Sequence, residues 1–355
     1  MNKISSQLEQ SNRYSAIDCM QLLCSLAVVL IHVGTVVEQP IYHFLIKSVI
    51  CRIAVPLFFI SSAFFFRQKY QRSFYLYRSW LKRFLKQYFW ISLFYLPLGI
   101  WCFSQQIDFK LLHLPIFFTI GFLYAGTMYH LWFFPALLLA FYLATKLIQT
   151  IGYFWAFLLS FFLYLLGAGE TYFAYLKGSF LENSYQRFFN LFITTKNGLF
   201  FGLIFVIVGF YLADTLKKET FFSRHLKKLL FGSFFLFAIE AHFIYAQPGL
   251  DKNFIFALIP LSYCLFYWLL SLEFSTPKTL GLRLLSQKIY FFHLLPIELL
   301  NLLWKHSTTF SAAQFGQLKF LLGVTFSLVI FFIFEYWKKS PSFQMAAIFS
   351  KQPSK

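Results

Sequence analysis

His32 and Arg52 sit in stretches that otherwise suit hydrocarbon. The stretch LLCSLAVVLIHVGTVVEQP (22–40) reads as a membrane helix except for its imidazole, in the outer third. Imidazole changes charge near neutral pH, which makes it the usual base for taking a proton from a hydroxyl group. Arg52 lies in ICRIAVPLFFISSAFFF, too deep for easy snorkelling to water. Its guanidinium stays charged, so it must face a polar cavity or a partner. A base beside a fixed cation is what acyl transfer to an alcohol needs. One takes the proton; the other steadies a developing oxyanion or a donor's phosphates. Asp18 and Gln21 lie one turn apart near the start of the same segment. His32 follows Gln21 by about three turns, on roughly the same face.

Other polar residues break the apolar runs. His130 and Trp132 occur in YHLWFFPALLLAFYL, and Lys196 and Asn197 in TTKNGLFFGLIFVIVGFYL. Ser286, Tyr290 and His293 in SQKIYFFHLLP are spaced to share one helix face, and Glu298 follows about a turn later. That face suits substrate contact or interhelical packing equally. Glu240 and His242 are two residues apart, point to different sides, and suit interhelical hydrogen bonds. There is no GxSxG elbow, no HExxH and no Cys/His nucleophile pair, so direct transfer is favoured over a serine or cysteine acyl-enzyme. The five cysteines are scattered through apolar segments, so neither a metal site nor a disulfide framework is expected.

The elements that must hold these groups are transmembrane helices. Of 355 residues, 59% are hydrophobic and only 12% charged, and phenylalanine alone supplies 53. A soluble chain carries about twice that share of charge. Apolar windows recur at 16–37, 43–66, 87–103, 129–147, 153–170, 197–214, 229–247, 253–272, 286–304 and 317–337. This predicts an all-α polytopic bundle of about ten transmembrane helices. The window 114–126 is apolar but short, which suits a re-entrant or interfacial segment or an extension of a neighbour. Most of the 31 lysines and arginines fall in the tails and in 67–86, 148–152, 215–228 and 273–285. Lys47, Lys110, Lys177, Arg187, Lys196, Lys252, Lys305 and Lys319 fall on the other side. That bias predicts cytoplasmic N- and C-termini. The net charge of +18 is therefore mostly an orientation signal, not a nucleic-acid surface. The basic, aromatic stretch 67–90 reads as an interfacial amphipathic helix, and it could also attract a cytosolic polyanion. The expected organisation is a cytoplasmic tail (1–15), a membrane domain (16–337) and a second cytoplasmic tail (338–355).

Taken together, AIDCMQLLCSLAVVLIHVG, CRIAVPLFFISSAFFF, YHLWFFPALLLAFYL, KNGLFFGLIFVIVGFYL and SQKIYFFHLLP resemble the acyltransferase 3 family of integral-membrane acyltransferases. The likeness runs from about residue 14 to 335. In detail it is closest to the branch that includes the membrane portion of vancomycin-resistance serine racemases, and no racemase domain is seen. The family's basic residue, separated from its histidine by ten residues, is Gln21 here, and its second-span arginine is Arg52. The resemblance implies transfer of an acyl group, acetyl first among candidates, from acyl-CoA to a hydroxyl of a cell-surface glycan or small molecule. No permanently bound cofactor is expected. His32 and Arg52 would be catalytic. Asp18, Gln21, Trp132, Lys196, Asn197, Ser286, Tyr290 and His293 would bind substrate or donor. The expected setting is a bacterial inner membrane, with the lipid bilayer as partner. The alternative is a transporter or exporter of a small or lipid-linked solute without chemistry, for which midplane polar residues also suffice.

Overall fold

The structure, a computed structural model, describes residues 14–105, 113–192, 194–216, 218, 220–247, 249–272, 279–304 and 310–339. Most of both expected tails, together with Lys110, Lys217, Lys278 and Lys305, lies outside the described residues. Within them the chain is helical, with no strand. The helices are α1 Ser15–His32, α2 Pro40–Arg72, α3 Phe74–Ser104, α4 Leu114–Ala125, α5 Phe133–Ala168 and α6 Leu181–Phe192. They continue with α7 Gly198–Thr215, α8 Leu226–Ala246, α9 Leu258–Ser271, α10 Thr279–Phe292, α11 Leu294–Leu303 and α12 Ala312–Lys339. A helix lies in each of the ten apolar windows. Among the described residues, six helical segments are long and apolar enough to cross a membrane: α1, α2, α5, α7, α8 and α12.

Local departures from regular helix matter more than the helices' lengths. α2 passes through a π turn at Leu45–Val49 and a 3₁₀ turn at Ile50–Ile53 before resuming as α-helix at Ala54. Each change of pitch rotates the side chains that follow it, here around Lys47 and Arg52. α5 is 36 residues long but carries a non-helical break at Gly152 (φ 73°, ψ 176°). That break falls in the 148–152 connection expected between two spans. α10 and α11 are separated only at His293. Pro296 explains the gap: it has no N–H for the Phe292 carbonyl, and its ring crowds that carbonyl.

The chain divides into two compact units, residues 1–54 with 272–355 and residues 55–271. In the first, α1 packs along α10, and α12 lies against α10 and α11. Val29, Val33, Val36, Ile289 and Ile297 form its buried core, with Leu22, Leu26, Leu285, Phe320 and Val324 packed on them. In the second, α5 packs against α7, and α8 against α9. Its core is largely aromatic: Phe66 stacks on Phe141 at 4.2 Å and on Phe210 at 5.7 Å, and Tyr88 stacks on Phe134 at 5.1 Å. The abundant phenylalanine thus serves interior packing as well as the exposed faces, where Phe154, Phe162 and Phe231 stand.

Arg67, read from sequence as an inner-loop charge, is structural. Its guanidinium grips Asp214 through Nε at 2.9 Å and Nη2 at 2.8 Å. Gln71 Nε2 and the Tyr153 hydroxyl each donate to the same carboxylate at 2.6 Å. The group pins α2, α5 and α7 together.

Candidate active site

The first unit builds a site around the end of α1. After His32 the chain turns at Gly34, whose φ of +84° is strained for any residue with a side chain. Lys47 Nζ donates to the Gly34 carbonyl at 3.0 Å. Gln317 Nε2 donates to the Val36 carbonyl at 3.0 Å. Gly316 lets α12 rest on the turn itself, since a Cβ there would stand 1.7 Å from the Thr35 carbonyl oxygen. Glu38 accepts from Ser311 Oγ at 2.7 Å and from the Ala313 N–H at 3.1 Å, capping α12. Those bonds hold its carboxyl below the usual range. The segment that carries His32 is therefore fixed on two sides.

The ring facing His32 is that of His293, with centroids 5.5 Å apart and planes 25° from parallel. His293 is fully buried. Its Nδ1 lies 2.8 Å from the Ile289 carbonyl, one turn earlier. A carbonyl only accepts, so Nδ1 carries the hydrogen and, in the neutral ring, Nε2 keeps its lone pair. The sequence face of Ser286 and His293 is indeed turned to α1: Ser286 Oγ donates to the Gln21 carbonyl at 2.8 Å. Tyr290, between them, is half-buried with its ring against Phe291.

Three cations gather near the same turn. Lys319 is 9% exposed, donates through Nζ to Asn301 Oδ1 at 3.2 Å, and lies 4.5 Å from the Phe315 ring centre. The same Nζ is 3.6 Å from where a Cβ on Gly34 would be. Lys47 reaches Gly34 as described above, and the charges of Arg52 and Lys319 both act on it. Glu298 accepts from Asn301 Nδ2 at 3.3 Å, and its charge acts on Lys319. From sequence, Lys47 and Lys319 counted only as outer-side charges. No periodicity in the chain showed that they meet beside His32.

At the start of α1, Asp18 is 2% exposed and takes both Nε (2.8 Å) and Nη2 (2.6 Å) of Arg283. Arg283 lies one turn before Ser286, so the cation near the Gln21 level comes from α10 rather than from position 21. In the sequence, Arg283 is one of the orientation charges of 273–285.

The second unit holds the remaining residues singled out from sequence. Asn197 caps α7, its Oδ1 accepting from the Leu199 and Phe200 N–H groups at 2.9 and 3.0 Å. Its Nδ2 donates to the Tyr124 hydroxyl at 2.8 Å. Lys196 Nζ lies 5.5 Å from the Trp132 ring centre and 4.0 Å from an Asp251 oxygen. Trp132 also packs on Phe59 and Phe201. His130 is 2% exposed, with Tyr95 packed edge-on at 4.8 Å. Glu240 accepts from the Phe256 and Ala257 N–H groups at 2.6 Å each and from the Tyr172 hydroxyl, whereas His242 is exposed. Glu240 thereby satisfies the backbone just before α9. Among the described residues, no group of three or more His, Cys, Asp or Glu is placed to hold a metal ion.

No solved structure matches the chain. An amino-acid racemase of Enterococcus faecalis is 29% identical over 289 residues, covering 79% of this chain and 38% of that protein. A serine/alanine racemase of Enterococcus gallinarum is 31% identical over 247 residues, covering 64% of this chain and 34% of that protein. A second amino-acid racemase of Enterococcus faecalis is 28% identical over 336 residues, covering 90% and 45%. The chain spans less than half the length of these relatives. The model of an acyltransferase domain matches residues 14–336. On that match, which covers well over half of the chain, the chain belongs to the acyltransferase 3 family of membrane proteins.

Proposed function

We propose that the protein moves an acyl group, acetyl first among candidates, from acyl-CoA to a hydroxyl of a cell-surface glycan or small molecule, with His32 as general base. The observation that carries the reading is the fixed pairing of His32 with His293 on a doubly clamped turn. In the reaction, the His32 imidazole takes the acceptor's hydroxyl proton as the oxygen attacks the thioester carbonyl. The carbon–sulfur bond then breaks, and the imidazolium returns the proton to the leaving thiolate. His293 is a positioning residue: its ring limits how His32 can turn. Arg52 supplies positive charge for the oxyanion that forms between the two steps.

Support for a ten-span arrangement comes from length, and support for cytoplasmic termini from the lysine and arginine bias alone. Thirty-six residues of helix would run about 54 Å, against a hydrocarbon core of about 30 Å. α5 therefore suits two crossings that turn at Gly152. In that arrangement His32 lies toward the outer leaflet and Asp18 toward the cytosol of a bacterial inner membrane. Asp18, Gln21, Ser286 and Tyr290 then suit the donor's approach, and Trp132, Lys196 and Asn197 keep their expected part in binding substrate or donor.

Membrane vesicles supplied with radiolabelled acetyl-CoA test the reading. Label should enter an endogenous acceptor with the native protein and not with His32→Ala at equal membrane levels. Equal labelling by both would remove His32 from the mechanism.

A further inference from the structure

We propose that Lys47 and Lys319, in the field of Arg52, form an oxyanion subsite beside His32 that takes a phosphate or carboxylate of the acceptor. The assignment to an acceptor rests on the acyl-transfer reading above; the binding of an oxyanion does not. The lysines approach Gly34 from different elements, Lys47 Nζ at 3.0 Å from its oxygen and Lys319 Nζ at 3.6 Å from its Cβ position. Arg52, one turn after Lys47, adds a third positive charge whose field reaches Lys47. The carboxylate whose field reaches Lys319 is that of Glu298. Glu38, on the same turn, bonds Ser311 and Ala313, so three cations stand against two carboxylates and the cluster stays positive.

Clamping the turn does not require that charge. A neutral donor would hold the Gly34 carbonyl as well, as Gln317 holds that of Val36. Like charges in a poorly hydrated setting repel strongly. Lys319, at 9% exposed, has little water to offset that repulsion. A multiply charged oxyanion turns the repulsion into binding through charge-assisted hydrogen bonds. Two residues from His32, such an anion would anchor the acceptor with its hydroxyl near the base. Among acceptors of the proposed class, the geometry selects those with a phosphate or carboxylate close to the acylated hydroxyl.

The test uses the full chain in nanodiscs of zwitterionic lipid, with inorganic phosphate as the probe and chloride as the control at constant ionic strength. Phosphate should raise the thermal midpoint saturably and chloride should not. Lys47→Gln and Lys319→Gln keep hydrogen-bonding groups but lose charge, and each should weaken the phosphate response at least about tenfold. His32→Ala should keep it, so loss of acyl transfer in that variant and loss of the subsite are separately readable. Phosphate should also shield Lys47 and Lys319 of the native protein from an amine-acylating reagent, read by peptide mass spectrometry, which needs no variant. Equal effects of phosphate and chloride, unchanged phosphate response in both glutamine variants, or no shielding of either lysine would overturn the subsite. Displacement of phosphate by coenzyme A would overturn the acceptor assignment by giving the site to the donor.

Discussion

The Asp18–Arg283 pair should show that the cost of breaking an ion pair depends on which partner is left behind. The Asp18 side chain is 3% exposed, while that of Arg283 is 37% exposed. Arg283→Ala strands a buried carboxylate, and losing one member of a buried pair costs about 3–5 kcal/mol. Asp18→Ala strands a guanidinium that already reaches solvent and can rehydrate. Its cost should be only about 1–2 kcal/mol, nearer that of an unmade hydrogen bond. The double variant should therefore recover about 2 kcal/mol relative to the sum of the singles. The assay is a double-mutant cycle on thermal unfolding in one detergent, with all four proteins at equal lipid content. Equal costs for the two single variants would refute the burial argument. Strict additivity would refute the pair as an interaction of consequence.

Two further predictions concern the turn after His32. Gly316→Ala drives a Cβ toward the Thr35 carbonyl oxygen, 1.7 Å away before any movement. Acyl transfer should be largely lost while the protein still inserts, whereas Gly323→Ala, whose nearest atom is 3.3 Å away, should act far more weakly; both are read by vesicle labelling against membrane protein level. Glu38 is held below its ordinary pKa of 4.5, first by the Ser311 hydroxyl and then by the Ala313 N–H. Its contribution is therefore present above about pH 4.5 and lost as pH falls through its lower folded value. Protection of the Ala313 amide, measured relative to its intrinsic exchange rate at each pH, should fall over that acidic window, and in Glu38→Gln it should not change with pH there.

The sequence was most informative where one physical term dominates. Water cannot satisfy backbone groups in hydrocarbon, so long apolar windows had to become helices, and a helix lies in each, six helical segments among the described residues being long and apolar enough to cross a membrane. Helical spacing placed Ser286 and His293 on the face that meets α1, because that face depends only on local periodicity. Glu240 and His242 divided into a bonded and an exposed residue for the same reason. Long-range meetings were hidden. Counting Lys47 and Lys319 by membrane side gave their depth but not their direction, which depends on the π turn in α2 and the docking of α12. Arg52, the cation expected beside His32, acts by its charge on Lys47 at the turn that follows His32. The ring facing His32 is His293, brought there by a contact between segments over two hundred residues apart in sequence. Asp214, which gathers Arg67, Gln71 and Tyr153, carries no local motif that announces its role.

The central claim is that His32 is the base of an acyl transfer. Mass spectrometry of surface glycans and small-molecule extracts tests it most directly, comparing cells with the native protein, with His32→Ala and with no protein. The account predicts acetyl-sized mass additions that appear only with the native protein, while His32→Ala reaches the membrane in equal amount. Unchanged acylation in His32→Ala would contradict it, as would accumulation of an unmodified solute in proteoliposomes that contain no acyl donor.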